Sequence, residues 1–370
     1  MATNRRTWLK QSGLALAGLT LLHNRLPAMP PHEAPPQPWD GPIRLSSNEN
    51  PYGPSPAARK AMAEAIAGSN RYPWNNTETL LQKIADHFGL KSDNVLLGAG
   101  SSDILGLVAH YASLQKGHAI SAHPSFRSWW GAAEKCGLPI VKVPLTEDKK
   151  HDLPAMMAKV NNQTRLVYVC NPNNPTGTVL PVADLKAFIT EVSKTALVML
   201  DEAYTEYSDE PSLADMVVNN KNLIMVKTFS KIYGLAGARI GYALAHADTI
   251  NQLADLLPWA NAGVSAVSLA AATASIGDKS FISLSKTNNT KAKTFTYQTF
   301  QSLNIPYIPS HTNFIYYSTA SFKGDLSEVL KTHQIAGTGI IEQTGSWLRI
   351  TVGTLAEMQQ YSSVLKQIWK

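Results

Sequence analysis

Two cysteines, Cys136 and Cys170, are all that 370 residues contain. That number builds neither a disulfide framework nor a four-ligand zinc set. It leaves a single Cys136–Cys170 bridge open, although lone cysteines more often behave as small buried hydrophobes. Charge is also sparse: Asp, Glu, Lys and Arg make up 16% of the chain, with no dense run of either sign. The formal net charge is +6. Arg5, Arg6, Lys10 and Arg25 against Glu33 and Asp40 place +2 of it in the first 40 residues. Nothing in that balance favours nucleic acid over small anionic ligands. Long hydrophobic runs are missing too. The apolar stretch Gly13–Leu22 is too short to span a bilayer as an ordinary helix. What the chain does have is bulk: 44% of it is hydrophobic, enough for a large core, and its length suits two domains.

The short apolar stretch has a context. Arg5 and Arg6 precede it, and no clean Ala-x-Ala cleavage site follows. Paired arginines ahead of such a run resemble a twin-arginine export signal, with Trp8 standing where that signal usually has Phe. Residues 1–26 are read as this leader. The alternative is an amphipathic surface helix. The twin-arginine route carries folded proteins, which suits a chain that loads a cofactor before leaving the cytoplasm. The expected location is periplasmic, or membrane-anchored by an uncleaved leader. Residues 27–42 are Pro-rich and read as an extended linker.

Beyond the linker, a turn-dense arm runs from Leu45 to Pro56. Helical composition follows at 56–67 and 77–88. From Val95 onward, short apolar strands alternate with helices. Strands are expected at Val95–Leu97, Ala119–Ser121, Ile140–Val143, Leu166–Cys170, Ala196–Leu200 and Leu223–Lys227, and a helix at Ile104–Ala112. Alternation of this kind implies a mostly parallel α/β sheet covered by helices on both faces. A long polar helix begins near Ser280. A smaller α+β segment follows, with strands at Asn313–Tyr317 and Trp347–Thr351. The implied division is an arm at 43–70, a large domain at 71–279 and a small domain at 280–370.

In open α/β sheets, ligands bind at the carboxyl ends of strands, and the polar motifs lie there. Gly98–Asp103 is a glycine turn opening a helix, where free backbone N–H groups suit a phosphate. Asn171–Gly177 holds two Asn-Pro steps and aims the Asn174 amide into a pocket. Asp201 ends a strand and can face a pyridine nitrogen, keeping it protonated; the competing reading is a helix cap. Tyr204 stands three residues on. Thr228, Ser230 and Lys231 form a hydroxyl-rich turn bearing one amine, with Arg239 beyond two glycines. A phosphate-bearing aldehyde cofactor needs that set: an amine for the aldehyde, hydroxyls and a guanidinium for the phosphate. Arg349 lies in an apolar strand and calls for an anionic partner, either a structural carboxylate or a substrate.

Seven motifs occur in fixed order: Asn48–Pro54, Arg71–Pro73, Gly98–Ser101, Asn171–Gly177, Asp201–Tyr204, Ser230–Gly241 and Arg349–Gly353. Together they resemble the fold-type I pyridoxal-phosphate aminotransferases, and most of all the histidinol-phosphate aminotransferase subgroup. The resemblance implies pyridoxal 5'-phosphate as cofactor and an amino acid and a 2-oxo acid as substrates. It makes Lys231 the Schiff-base lysine and general base, and Asp201 the partner of the ring nitrogen. Tyr204 and Asn174 bond the ring oxygen, and Phe126 stacks on the ring. Ser101, Ser102, Thr228, Ser230 and Arg239 hold the phosphate. Arg349, Asn174 and Tyr52 meet the substrate. Tyr72 reaches the phosphate of a neighbouring subunit, which implies a homodimer with shared active sites.

One departure bears on the substrate. The subgroup carries a second arginine about a dozen residues before the carboxylate-binding one, to hold the substrate phosphate. Here no arginine lies between Arg239 and Arg349, and the corresponding stretch, Ile335–Gln343, offers glycines and Glu342. A different donor, aromatic or otherwise neutral in its side chain, is therefore expected. Trp74, Trp129, Trp130 and Trp259 are candidates to line its pocket. Two other readings keep the fold: a decarboxylase or lyase using the same cofactor, and a non-catalytic exported binding protein. The intact set Lys231, Asp201, Tyr204 and Arg349 favours transamination over both.

Overall fold

The computed structural model describes residues 41–342 and 345–369. The expected twin-arginine leader and nearly all of the expected Pro-rich linker lie outside the described residues. The strands in chain order are β1 (Ile43–Arg44), β2 (Val95–Gly98), β3 (His118–His123), β4 (Ile140–Pro144), β5 (Thr164–Cys170), β6 (Leu197–Asp201), β7 (Leu223–Thr228), β8 (Gly241–Ala245), β9 (Tyr307–Ile308), β10 (Phe314–Ser318), β11 (Ile335–Ala336), β12 (Thr338–Glu342) and β13 (Gly345–Thr351).

Seven strands form the central sheet in the order β2-β8-β7-β6-β5-β3-β4. The pairs among β4, β3, β5, β6 and β7 are parallel. Only β8 runs against its neighbours β2 and β7. The sheet is buried on both sides, and the alternation along each strand shows how. On β5, Val167 and Val169 enter one core, which includes Leu80, Ile84, Phe188 and Leu269 from three helices. Leu166, Tyr168 and Cys170 enter the other, with Leu105, Val108, Trp129 and Leu253. Side chains two apart on a strand share a face, so apolar residues at both phases require helices on both faces.

A second, antiparallel sheet runs β12-β13-β10-β9. It packs with the long helix Lys279–Ser302 and the helix Leu355–Ile368 around Ile315, Tyr317, Ile350 and Tyr361. The arm is tied to this part by the parallel pair β1–β11 and by Leu45, whose carbonyl accepts from Thr351. Both cysteines are free, so the Cys136–Cys170 bridge left open by the sequence is not made.

Candidate active site

The carboxyl ends of the parallel strands meet the arm and β13 around one cavity of about 770 Å³. Ser101, Ser102, Phe126, Asn174, Asp201, Tyr204, Thr228, Ser230, Lys231, Arg239 and Arg349 all line it. They come from seven separate stretches of chain, which the fold brings together. Tyr52 and Tyr72 do not line it. Tyr52 sits in the arm, where its pKa is raised by burial and by Glu357. Tyr72 is 70% exposed and stacks on Trp74 at 5.3 Å, with Trp259 against both. Of the four tryptophans expected near a substrate, Trp130 lines the cavity. Trp129 is buried beneath it against Tyr168. Trp74, the first residue of helix Trp74–Phe88, and Trp259 are exposed.

At one end of the cavity the geometry suits a phosphate. Helix Ser101–Ser113 starts there, with Gly100 as its N-cap at φ 92°. A Cβ on Gly100 would lie 2.3 Å from Nη2 of Arg239, so only glycine lets the guanidinium lie against the turn. Arg239 itself holds a left-handed backbone, φ 53°, with Nη1 donating to Ala236 O at 2.9 Å. Such a conformation costs a non-glycine residue on the order of 1 kcal/mol and is retained where the surroundings impose it. Thr228 Oγ1 accepts from Ser230 N at 3.0 Å, closing the turn that delivers Lys231. Helix N–H groups, hydroxyls and a guanidinium converge as an anion requires.

At the other end lie the acid and the second arginine. Asp201 is 3% exposed. Burial pushes its carboxyl up to about 6, against the Tyr168 hydrogen bond, the Ala203 N–H and the charges of Lys231 and Lys227, which pull it down. Tyr204 OH accepts from Asn48 Nδ2 at 3.0 Å and from Asn174 Nδ2 at 3.3 Å. Asn174 Oδ1 in turn accepts from Arg349 Nη1 at 2.7 Å, and Arg349 Nη2 donates to Ser46 O. The Arg349 guanidinium also faces the Phe314 ring at 5.6 Å. Lys231 Nζ donates to Ser47 O at 3.1 Å. Burial, then the charge of Arg349, brings the Lys231 amine down to about 8, so about a tenth of it is neutral at pH 7, far more than for an ordinary lysine.

Several participants have no assigned role in the sequence reading. Asn48 is buried with a left-handed backbone, φ 54°. It joins Tyr204 to Thr351 on the Arg349 strand, through Asn48 N to Thr351 Oγ1 at 2.8 Å. Its position inside the Asn48–Pro54 motif was the available signal. Tyr168 donates its hydroxyl to Asp201 Oδ2 at 2.8 Å. Strand alternation puts it on the face of Cys170, which also lines the cavity. Asn173 binds the two loops of the wall together. It accepts from Ser125 at 2.8 Å and from His151 at 3.1 Å, and donates to Pro124 O at 3.3 Å. His151 is held neutral by burial, at about 4. Arg127 lines the cavity beside Phe126.

These residues fit the pyridoxal phosphate that the sequence implies. The cavity has the size of a small-molecule site. Its wall brings together an anion cradle, a buried carboxylate and an amine of lowered pKa.

Comparison with known proteins agrees. The family model for aminotransferase class I and II matches residues 40–365. The chain is 37% identical over 336 residues to the histidinol-phosphate aminotransferase of Moorella thermoacetica, covering 88% of this chain and 85% of that one. It is 37% identical to the histidinol-phosphate aminotransferase of Brevibacillus brevis, over 88% of this chain and 90% of that one. Among solved structures, histidinol-phosphate aminotransferase from Sinorhizobium meliloti in complex with pyridoxal-5'-phosphate superposes with a TM-score of 0.81 and 26% identity. That match covers 94% of this chain and 96% of that one.

Proposed function

The chain belongs to the class I and II aminotransferases and is a pyridoxal-phosphate-dependent enzyme, and we propose how its residues share the work and which donor it takes. When bound, pyridoxal phosphate draws electrons from the substrate Cα. The remaining tasks fall to side chains. Ser101, Ser102, Thr228, Ser230 and Arg239 anchor the phosphate, and Phe126 stacks on the ring. Asp201, ionised, holds positive charge at the ring nitrogen, while Tyr204 and Asn174 bond the ring oxygen. Arg349 grips the substrate α-carboxylate and orients its Cα–H bond toward Lys231. The Lys231 amine takes that proton and returns it one position away. Its lowered pKa supports this role, because an ammonium cannot accept a proton.

The donor is an amino acid with an aromatic or otherwise neutral side chain, not histidinol phosphate. One observation carries this: no arginine lies between Arg239 and Arg349. A dianionic phosphate set on Arg349 alone would lack the second cation that charged pairs of this kind depend on, at a cost of several kcal/mol. A second reading has its own support. The relatives are named for histidinol phosphate, and Arg127 lines the same cavity and supplies another cation. A spectrophotometric screen of half-reactions separates the two. The first reading expects the bound cofactor's spectrum to change with aromatic and neutral amino acids and little with histidinol phosphate. Clear preference for histidinol phosphate, lost on Arg127→Ala, establishes the second instead.

The homodimer belongs to the same proposal, with Tyr72 serving the neighbouring subunit's phosphate. Its outward exposure is what such a role needs. Export by the twin-arginine route is proposed from Arg5 and Arg6 ahead of Gly13–Leu22, with a periplasmic or membrane-anchored product. Replacing both arginines with lysine in the full-length chain is expected to retain it in the cytoplasm. Unchanged export would remove this part.

A further inference from the structure

Behind Asp201 stands a second layer. Tyr168 lies on β5, fully buried, and donates to Asp201 Oδ2 at 2.8 Å. The other carboxylate oxygen accepts from Ala203 N at 3.1 Å. The Tyr168 ring packs against Trp129, centroids 4.7 Å apart and 47° between planes. Trp129 ends the short turn Arg127–Trp129, whose N-cap is Phe126. One packed pair therefore supports both the acid at the cavity's end and the turn bearing the aromatic ring on its wall.

We propose that Tyr168 is a positioning residue that keeps the Asp201 carboxylate ionised and aimed at the cofactor's ring nitrogen, with Trp129 fixing the direction of its hydroxyl. This rests on the reading of Asp201 as the ring-nitrogen partner. The need is physical. A carboxylate this deep is pushed toward its neutral form by burial, and a neutral acid holds no charge on a pyridine nitrogen. Of the influences that oppose burial, the Tyr168 hydrogen bond is the largest, ahead of the Ala203 N–H, Lys231 and Lys227. Cys170 and Tyr204, the other titratable groups facing Asp201, are themselves held neutral by burial. Tyr168 cannot act as an acid or base in turnover, because burial and Asp201 both raise its pKa. Its contribution is a fixed donor at a fully buried position, where a bond to a charged acceptor is strong.

Tyr168→Phe removes the hydroxyl and keeps the ring packing. Purified protein, stripped and reloaded with pyridoxal phosphate, is the probe. The variant is expected to bind the cofactor about tenfold more weakly. The pH at which its visible absorption changes should rise by about one unit, since a ring with less positive charge holds a nearby proton more firmly. Neither effect should appear when the same change is made on top of Asp201→Asn. A titration that superimposes on the wild type overturns the proposal, and so does an equal shift in the Asp201→Asn background. Should the phenylalanine variant not fold, Tyr168→His keeps a ring donor, and its titration should lie close to the wild type. A large shift there counts against the proposal. Wild-type protein that binds no pyridoxal phosphate removes the underlying reading instead, so the two failures are distinct.

Discussion

Lys227 and Lys231 are four residues apart, one near the end of β7 and the other in the turn that follows, and they live in opposite surroundings. Lys227 is 2% exposed, with Glu202 at 3.1 Å and Glu206 at 3.0 Å, and the Phe88 ring lies 5.5 Å from its ammonium. Two carboxylates outweigh its burial and push its pKa up. Lys231 has a backbone carbonyl and a tyrosine ring at 5.7 Å nearby, and its burial and the charge of Arg349 outweigh Glu49 and Asp201, which act the other way without contacting it in an ion pair. Its pKa falls to about 8. The same side chain is a permanent cation in one place and a base in the other. What separates them is which partners the fold supplies: carboxylates make a structural ion, while desolvation with a like charge makes a reactive amine.

Four substitutions break or sharpen this contrast. The largest effect is expected for Lys231→Met. Turnover should fall by about 10⁴-fold, while the cofactor-free protein becomes more stable. The amine's folded pKa lies below its ordinary 10.5. The amine therefore costs stability that accrues as pH falls from about 10.5 to about 8 and stays constant below that, so the gain from methionine, on the order of 3 kcal/mol, is full below about pH 8 and should vanish above about pH 10.5. Kinetics and melting curves across pH check both parts.

Lys227→Met should do the reverse. It leaves Glu202 and Glu206 buried without their cation and costs about 3–5 kcal/mol of stability. Denaturant unfolding reads this loss, and activity per folded molecule should change far less than for Lys231→Met. A fully stable Lys227→Met protein would show that the buried trio is not the structural counterpart described here.

Asp201→Asn comes third. The folded carboxyl stands at about 6 against an ordinary 3.8. A raised acid favours the fold below the lower value and loses that advantage as pH rises through the higher one. The asparagine variant should therefore be more stable than wild type by about 3 kcal/mol above pH 7, without cofactor, and no more stable below about pH 4. Melting of the cofactor-free proteins at the two pH values checks it. Both functional groups thus lower stability in the empty site, as groups arranged for chemistry often do.

The smallest effect is expected for Arg349→Lys. A lysine keeps the charge and loses the forked geometry, so KM for a carboxylate substrate should rise about tenfold with a smaller change in kcat. An unchanged KM would point to another carboxylate clamp.

The same contrast shows what was legible in the chain. Lys231 stands out by its hydroxyls, glycines and Arg239, and the turns after β2, β5, β6 and β7 were readable because strand alternation announced them. Lys227 was invisible as a distinct case, since the acids beside it come from the segment that follows the preceding strand, β6. Strand β8 was missed because Gly241–Ala245 directly follows a glycine-rich loop and pairs antiparallel within a sheet otherwise read as parallel. Tyr168 reads as one apolar residue in a buried strand, and its hydrogen bond to a residue 33 positions away is a product of register. Four tryptophans stood out in the sequence, but which way each faces is decided by tertiary packing. Trp130 reaches the cavity while Trp74 and Trp259 gather around Tyr72.

The central claim, that environment makes Lys231 and not its neighbours the cofactor-bearing amine, has a direct test. Protein loaded with pyridoxal phosphate is reduced with borohydride, digested, and searched by mass spectrometry for the phosphopyridoxyl group. The account predicts the label on Lys231 alone, and label on Lys227, on the buried Lys293, or spread over several lysines would contradict it.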